Sequence, residues 1–570
     1  MVDLSKLLAV SRGDESADLL LKNAKLINVR SAEIYETDVA IYDDRIAAIG
    51  AGYQSKETVD LKGLYLAPGF IEGHIHIESS MMRPSEFARA VVPHGTTAVV
   101  ADPHEIANVL GLDGIRYILE SAKDGPLSIF VMLSSCVPAT HMETGGAHLT
   151  AEDLQPYLNH PWVRGIAELM NYPGVVHGDP DMLAKIEIGK EKRLDGHAPR
   201  LSGHGLNAYV AAGVGSDHES TTLEEAHEKL RLGQYVMIRE GTTAKNMKAL
   251  LPLVNRENSR RFMFVSDDRH PDYLTEHGHM DHSIRMAVSM GLDPLTAIQM
   301  CTCNTAEWFN LRGIGAVTPG HYADLVVFSD LKQIDVRMVY RGGRLVARDG
   351  QLVEGVKTGR VINVRSAMNV AWDKVDFKVR ALGRHMRVIN VVPNQLVTTQ
   401  SVEEVKRVGE YAVSDVARDI LKMAVIERHM ASGSMGIGFV RGFGLKGGAL
   451  ASSVGHDSHN IIVIGTNDND MAVAARATGR LGGGFVAVSD GEVMAQVPLP
   501  IAGLMSDQPL EVVRKQVEDI LQVSHQLGVE LDNPFMALSF LALPVIPSLK
   551  LTDKGLVDVE QFTLVPLFVD

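Results

Sequence analysis

The stretch Ala67-Pro68-Gly69-Phe70-Ile71-Glu72-Gly73-His74-Ile75-His76-Ile77-Glu78-Ser79-Ser80 decides how the rest of this chain is read. Its apolar run reads as a buried strand that ends in a His-x-His pair. Residues i and i+2 of a strand point to the same side, so His74 and His76 can reach one metal ion together from the strand end. Alone, such a pair is an equally ordinary feature of a strand edge, and it gains weight from the strand ends farther along the chain.

From Leu64 to Arg269 apolar strands alternate with helical stretches, the pattern of βαβ units. Eight strands can be counted, and almost every one ends in an ionisable or metal-binding residue. After the histidine strand, Thr96 to Ala101 ends in Asp102-Pro103-His104-Glu105, and Leu127 to Leu133 ends in Ser134-Ser135-Cys136. Val163 to Ala167 ends at Glu168, and the short Arg193 to Gly196 ends at His197. Val210 to Gly215 is read as the sixth strand, ending in Ser216-Asp217-His218-Glu219. Gln234 to Ile238 ends in Arg239-Glu240, and Arg261 to Val265 ends in Ser266-Asp267-Asp268. Eight parallel strands with intervening helices close into a (β/α)8 barrel, whose chemistry sits at the carboxyl ends of its strands.

The flanks read differently. Residues 4 to 10 look helical, and Asp18 to Val29, Thr37 to Tyr42 and Arg45 to Ile49 are short strands. After a helix predicted over Asp293 to Phe309, strands resume at Ala323 to Phe328 and Val336 to Tyr340. Neither flank is large enough for a sandwich alone, so the two are expected to form one small β-sandwich interrupted by the barrel. The expected architecture is α/β: an N-terminal sandwich segment at 1–66, the barrel at 67–316, the returning sandwich segment at 317–365, and a C-terminal α+β domain at 366–570. In that last domain strands are predicted at Asn460 to Gly465 and Phe485 to Val488, and helices near Glu403 to Arg407 and over Leu510 to Leu527.

Length and charge bound the function. The 570 residues suffice for several domains, and a formal net charge of −15 argues against a nucleic-acid partner, which would need Lys and Arg against phosphate. Three cysteines, Cys136, Cys301 and Cys303, cannot build a disulfide framework and point to a reducing compartment. Met1 to Val10 carries Asp3 and Lys6 and lacks the apolar core of a signal peptide. Pro534 to Leu549 is interrupted by Pro544 and Pro547 and falls short of the ~20 residues of a membrane helix. A cytoplasmic protein with no membrane association is expected, as a homo-oligomer, dimer or higher.

The candidate ligands are His74, His76, Glu168, His197, His218 and Asp267. Imidazole and carboxylate suit Zn, Mn and Fe(II), and six such groups exceed what one catalytic ion needs. They suit two divalent ions: His74, His76 and Asp267 on one, His197 and His218 on the other, and Glu168 between them. The ions would supply hydroxide from water near neutral pH. Asp267 could take the proton of that water and pass it to the leaving group. Glu168 has a competing role as proton donor to a substrate ring nitrogen, and chemistry alone does not separate Asp267 from Asp268. Asp102, His104 and Glu105 are read as supporting the ligands or touching substrate, with Arg83 and Ser135 as further candidate substrate contacts.

This pattern resembles the amidohydrolase superfamily, and within it the bacterial and archaeal adenine deaminases. The likeness is carried by Ser11-Arg12-Gly13-Asp14, His76-Ile77-Glu78-Ser79-Ser80-Met81-Met82, Asp102-Pro103-His104-Glu105-Ile106-Ala107-Asn108-Val109 and Ser134-Ser135-Cys136-Val137-Pro138. It continues through Tyr172-Pro173-Gly174-Val175, Leu206-Asn207-Ala208-Tyr209, Met237-Ile238-Arg239-Glu240-Gly241, Ser266-Asp267-Asp268-Arg269 and Ala451 to Asn460. The resemblance implies a metal-dependent hydrolase fold and conversion of adenine and water to hypoxanthine and ammonia, usually with two Mn or Fe ions. Glu168 stands where several superfamily members carry a modified lysine, which fits a bridging group. A deaminase of N6-substituted adenine or a cyclic amidohydrolase is the alternative on the same fold, and a non-catalytic metal-binding scaffold is the alternative of another class. The zinc nucleobase deaminases are excluded, because no Pro-Cys-x-x-Cys is present. His456, Asp457 and His459 have a spacing that permits a further metal site, although hydrogen bonding within a loop that closes over the barrel is the expected role.

Overall fold

The computed structural model describes residues 2–242, 244–393 and 395–569. Five parallel strands run in the order Arg193–Leu194, Val163–Ile166, Ser128–Leu133, Thr96–Ala101, Phe70–Ile75, and three more in the order Ser216–Asp217, Tyr235–Arg239, Phe262–Val265. Two seams close them into a barrel. Gly215 N–H donates to Leu194 O at 3.1 Å, and Asp267 N–H donates to His74 O at 3.0 Å while His76 N–H donates to Asp267 O at 3.1 Å. The period of two is visible in the second strand: Ala98 and Val100 pack inside the barrel with Ile71, Met132, Met237 and Met263. Val99 and Ala101 face outward, against the layer that holds Ile106 and Ile118 of the surrounding helices.

Three sequence expectations need correction. Val210 to Gly215 is no strand: Gly203–Ala211 is helical, and the sixth strand is only Ser216–Asp217. Leu206 and Tyr209, three apart, are the buried face of that helix, so the apolar residues followed a helical period. The helix expected over Asp293 to Phe309 is two, Pro294–Met300 and Cys303–Trp308. It breaks at Cys301 because that carbonyl accepts from Ile71 N–H at 2.7 Å, at the foot of the first barrel strand. Glu403 to Arg407 is not helical either. Thr398–Glu404 is an edge strand paired along His385–Val391, and pairing with a neighbour overrides the helix-favouring charges at its end.

The flanking strands form one nine-stranded sheet, joined where Leu325–Phe328 pairs antiparallel with Tyr65–Pro68. Leu21, Leu26, Val39, Ile46, Leu325 and Val327 form a core of its own. The C-terminal region is built on an eight-stranded sheet. Helix Leu510–Gln526 packs Val513, Val517 and Ile520 on one face, and helix Asp468–Arg480 packs Met471, Ala474 and Ala475 on the other. This region is stitched to the barrel by Ser506 N–H to Met81 O at 2.8 Å and Leu510 N–H to Glu86 Oε2 at 3.1 Å. On another side Thr144 donates to both oxygens of Asp553, at 2.9 and 2.7 Å. No helix among the described residues is long and apolar enough to cross a membrane.

Candidate metal centre

The first strand does not run straight into its histidines. Its pairing with the second strand shifts register between Glu72 and Ile75. The buried Glu72 holds this irregularity, its Oε1 accepting from His74 N–H and from Ser266 N–H, both at 3.0 Å. Such irregularities re-aim side chains at strand ends. Both imidazoles end with Nε2 toward the eighth strand, His76 at 3.1 Å and His74 at 3.5 Å from Asp267 Oδ1. Asp267 adopts φ +59°, which turns its carboxylate inward. Asp268 is directed elsewhere and accepts from Ser79 Oγ, so the structure separates the two aspartates.

Glu168 stands at the middle of the group. Its Oε1 lies 3.2 Å from His76 Nε2 and 3.8 Å from His74 Nε2. Its Oε2 lies 2.7 Å from His197 Nδ1 and 3.3 Å from His218 Nε2. One carboxylate oxygen thus faces each histidine pair. The chain holds these groups from behind: His76 Nδ1 meets Asp102 O at 2.9 Å, and His197 N–H donates to Tyr209 Oη at 3.1 Å. Tyr209 in turn donates to Leu169 O at 3.0 Å, next to Glu168. The loops carrying His197 and His218 are tied by Asp217, which accepts from Ala198 N–H at 2.9 Å and from the buried Lys229 at 2.7 Å.

The residues present fit divalent cations. His74 Nε2, both ring nitrogens of His218 and Asp195 Oδ2 are buried and make no hydrogen bond. Buried polar atoms are ordinarily satisfied, and a cation beside Glu168 would satisfy His74 Nε2 and His218 Nε2, while Asp195 Oδ2 faces His74 Nδ1 from behind at 3.6 Å. The protein charges agree. Burial pushes the His74 imidazole down, but Asp195, Asp267 and Glu168 outweigh it and raise it to about 10. Burial likewise opposes His197, which Glu219 and Glu168 raise to about 9. Burial opposes ionisation of Asp267, yet Arg239 and the two histidines hold it well below the usual carboxylate range. The carboxylates thus stay ionised and the imidazoles hold protons beside them, and a bound metal ion would displace those imidazole protons.

The other candidates separate. His104 lies in the cluster, with Nδ1 3.0 Å from Asp102 Oδ2 and 3.3 Å from Glu168 Oε1. Asp102 orients His104 and His76, and Ser135 donates its hydroxyl to Glu168 O at 2.7 Å, so both support the centre from behind. Glu105 faces the C-terminal domain, where His456 and His459 meet it. Arg83 stays outside the cluster, beside Glu86 at 3.6 Å. Sequence reasoning passed over Glu219 and Arg239. Glu219 Oε1 lies 3.6 Å from His218 Nε2 and 3.7 Å from His197 Nδ1. Arg239 pairs with Glu219 and, at 2.7 Å, with Asp267 Oδ2. Both stand at strand ends, which was the available signal, but nothing in the spacing tells which strand-end residue turns inward. A cavity of about 770 Å³ opens beside them, lined by Asn171, Glu219 and Arg239 from the barrel and by Met536, Phe540 and Lys550 from the C-terminal domain.

Comparison with known proteins supplies the relationship. An adenine deaminase of Desulfatibacillum aliphaticivorans is 51% identical over 570 residues, covering 100% of both chains. The chain belongs to the adenine deaminase family. An adenine deaminase of Dehalococcoides mccartyi is 48% identical over 99% of each chain, and adenine deaminase 2 of Carboxydothermus hydrogenoformans is 48% identical over 100% of each. The sequence pattern of the Amidohydrolase family matches residues 65–346, and that of the adenine deaminase C-terminal domain matches residues 395–563. The barrel with its centre and the domain that walls the cavity are therefore both parts of the family's shared chain.

Proposed function

We propose that this protein hydrolyses adenine to hypoxanthine and ammonia at a centre of two divalent ions, Mn or Fe(II), with Zn as an alternative occupant. The observation that carries the reading is the division of Glu168, one oxygen toward His74 and His76 and the other toward His197 and His218. A carboxylate so placed suits a bridge between two cations better than a free acid. His74, His76 and Asp267 would hold one ion, and His197 and His218 the other. Bound there, the ions would lower the pKa of water and supply hydroxide near neutral pH.

The chain's own residues do the rest. Asp267, kept ionised by Arg239, accepts the proton of the attacking water. The water oxygen bonds to C6 of the purine as the C6=N1 π pair takes up the water's second proton at N1; the C6–N6 bond then breaks as the C6=O double bond closes, and Asp267 returns its proton to the departing amine, which leaves as ammonia. The C-terminal domain walls the cavity with Met536 and Phe540, which supports a role in excluding bulk water. The three cysteines are buried and unpaired, which supports a reducing, cytoplasmic setting.

The test is ammonia release from adenine, N6-substituted adenines, hydantoin and dihydropyrimidine, before chelation, after it, and after Mn or Fe(II) is returned. Adenine turnover that falls on chelation and recovers with metal is expected. Turnover of the cyclic amides in preference to adenine would overturn the substrate assignment. Truncation just before Ser366 should abolish turnover, and full activity without the domain would remove the case for a cap.

A further inference from the structure

A second cluster of donor atoms lies behind the first, at the junction of barrel and C-terminal domain. His104 and Glu105 open the helix His104–Leu110 that follows the second barrel strand. His456 and Asp457 lie in the loop between strands Ala449–Ser452 and Ile461–Gly465. One ligand atom from each of these four residues lies within 4.8 Å of every other. His456 Nδ1 is 2.6 Å from Glu105 Oε1 and 3.8 Å from Asp457 Oδ1, and His104 Nε2 is 3.4 Å from Glu105 Oε1 and 3.9 Å from Asp457 Oδ1. All four residues are at most 5% exposed.

Two features distinguish this from an ordinary buried hydrogen-bond network. First, Asp457 Oδ2 is buried without a hydrogen-bond partner, and Glu105 Oε1 is met only by the two imidazoles of the cluster. A buried carboxylate oxygen left without a donor is costly, and a dication at this point would compensate it. Second, three of the four side chains are fixed on their far side. His104 is held by Asp102 at Nδ1, Glu105 is held at Oε2 by His459, and the His456 ring stacks on Phe540 with centroids 4.6 Å apart. His459 is itself anchored, its Nδ1 accepting from Gly455 N–H at 3.2 Å. Partners that orient ligands from behind are characteristic of metal sites. The role of His459 is thus to hold Glu105, and the donors come from both domains rather than from the C-terminal loop alone.

We infer that His104, Glu105, His456 and Asp457 bind a third divalent cation, which clamps the C-terminal domain onto the barrel. Two imidazoles and two carboxylates suit Mn, Fe(II) or Zn, whereas Ca and Mg prefer oxygen alone. Because its donors come from both domains, the site is structural in character, and it adjoins the centre where substrate reacts through His104. His104 stands between the two, with Nδ1 toward Glu168 and Nε2 toward Asp457.

The full-length protein, grown with Mn and desalted without chelator, should be crystallised and its anomalous map measured at the Mn edge. A peak about 2.1–2.3 Å from His104 Nε2 and His456 Nδ1 is expected. In solution, elemental analysis should find three ions per chain, and two in Asp457→Asn and in His456→Gln. Peaks near His74, His76, His197 and His218 with none between Glu105 and Asp457 would overturn the inference and leave the proposed function intact. A peak at Glu105 and Asp457 alone would sustain the inference while sinking the two-ion reading of the reaction centre. The wild-type map decides even where a variant fails to fold.

Discussion

Arg239 offers the sharpest test of how the reaction centre is held. It is 5% exposed, and its Nη1 reaches both Glu219 and, at 2.7 Å, Asp267 Oδ2. At an effective dielectric constant of about 20, a pair at that separation attracts by roughly 6 kcal/mol before desolvation is counted. Desolvation offsets most of this, but removing only the cation leaves two buried carboxylates without their guanidinium, with imidazoles as their remaining partners, a change that costs up to about 3–5 kcal/mol. Arg239→Met should therefore lower the melting temperature, and by more in chelated protein than in Mn-loaded protein, because an ion beside Asp267 takes over part of the compensation. The chemistry should suffer as well. A displacement of about 1 Å at the proton acceptor costs about 100-fold in turnover, so kcat for ammonia release should fall on that scale with KM nearly unchanged. Arg239→Lys, which brings a charge but no fork, should recover part of kcat. Wild-type kcat and unchanged melting in Arg239→Met, with full metal content, would refute the view that this guanidinium positions Asp267.

Three further outcomes follow from the same geometry. A Cβ at Gly165 would stand 1.8 Å from Arg193 O, where the fourth and fifth strands pair, so Gly165→Ala should destabilise the chain by about 3 kcal/mol or more. Metal content measured alongside should fall, since Glu168 and His197 follow those strands. Tyr209→Phe deletes the hydroxyl that ties His197 N–H to Leu169 O, and should weaken metal retention by about 10–100-fold in a chelator competition. Lys550 is buried with its ammonium donating to Leu396 O and Phe540 O, and burial pushes it down to about 7. Below pH 7 the folded chain carries the full cost of that buried charge. As pH rises from 7 toward the ordinary lysine value, the folded state sheds the proton first and stability rises, by at most about 5 kcal/mol. Urea melts at pH 7 and 9.5 should show this rise in the wild type and not in Lys550→Met, and equal slopes would refute it.

What the sequence disclosed, and what it withheld, depends on the range of the interactions involved. The candidate ligands stand out because a parallel barrel places every strand end at one mouth, so His74, His76, Glu168, His197, His218 and Asp267 could be gathered by counting strands. The count survived the misreading of Val210 to Gly215, because the residues that matter there follow the strand rather than form it; Ser216–Asp217 is too short and polar to be seen as a strand. Direction was harder to see than position. Asp267 and Asp268 are chemically alike, and only closure of the eighth strand on the first turns one inward and leaves the other to Ser79. Glu219 and Arg239 were visible as strand-end residues, but their roles depend on each other and on Asp267, contacts spanning 20 and 28 residues.

The C-terminal histidines show the limit most clearly. Their spacing permits a site made within one loop, with hydrogen bonding in the loop as the expected role, but the loop provides only His456 and Asp457 toward the cluster and turns His459 to the back of Glu105. The complementary half lies 354 residues earlier in the Glu105 pairing, a distance at which no periodicity carries information. His104 belongs to both settings, one ring nitrogen toward Glu168 and the other toward Asp457. A single imidazole has one lone-pair nitrogen when neutral, so it cannot be a ligand on both sides and accept no proton. If Nε2 serves the junction, Nδ1 must carry the hydrogen and donate it toward Asp102 and Glu168. Docking of the C-terminal domain would then fix a tautomer in the barrel, which gives the two domains a physical reason to occur in one chain.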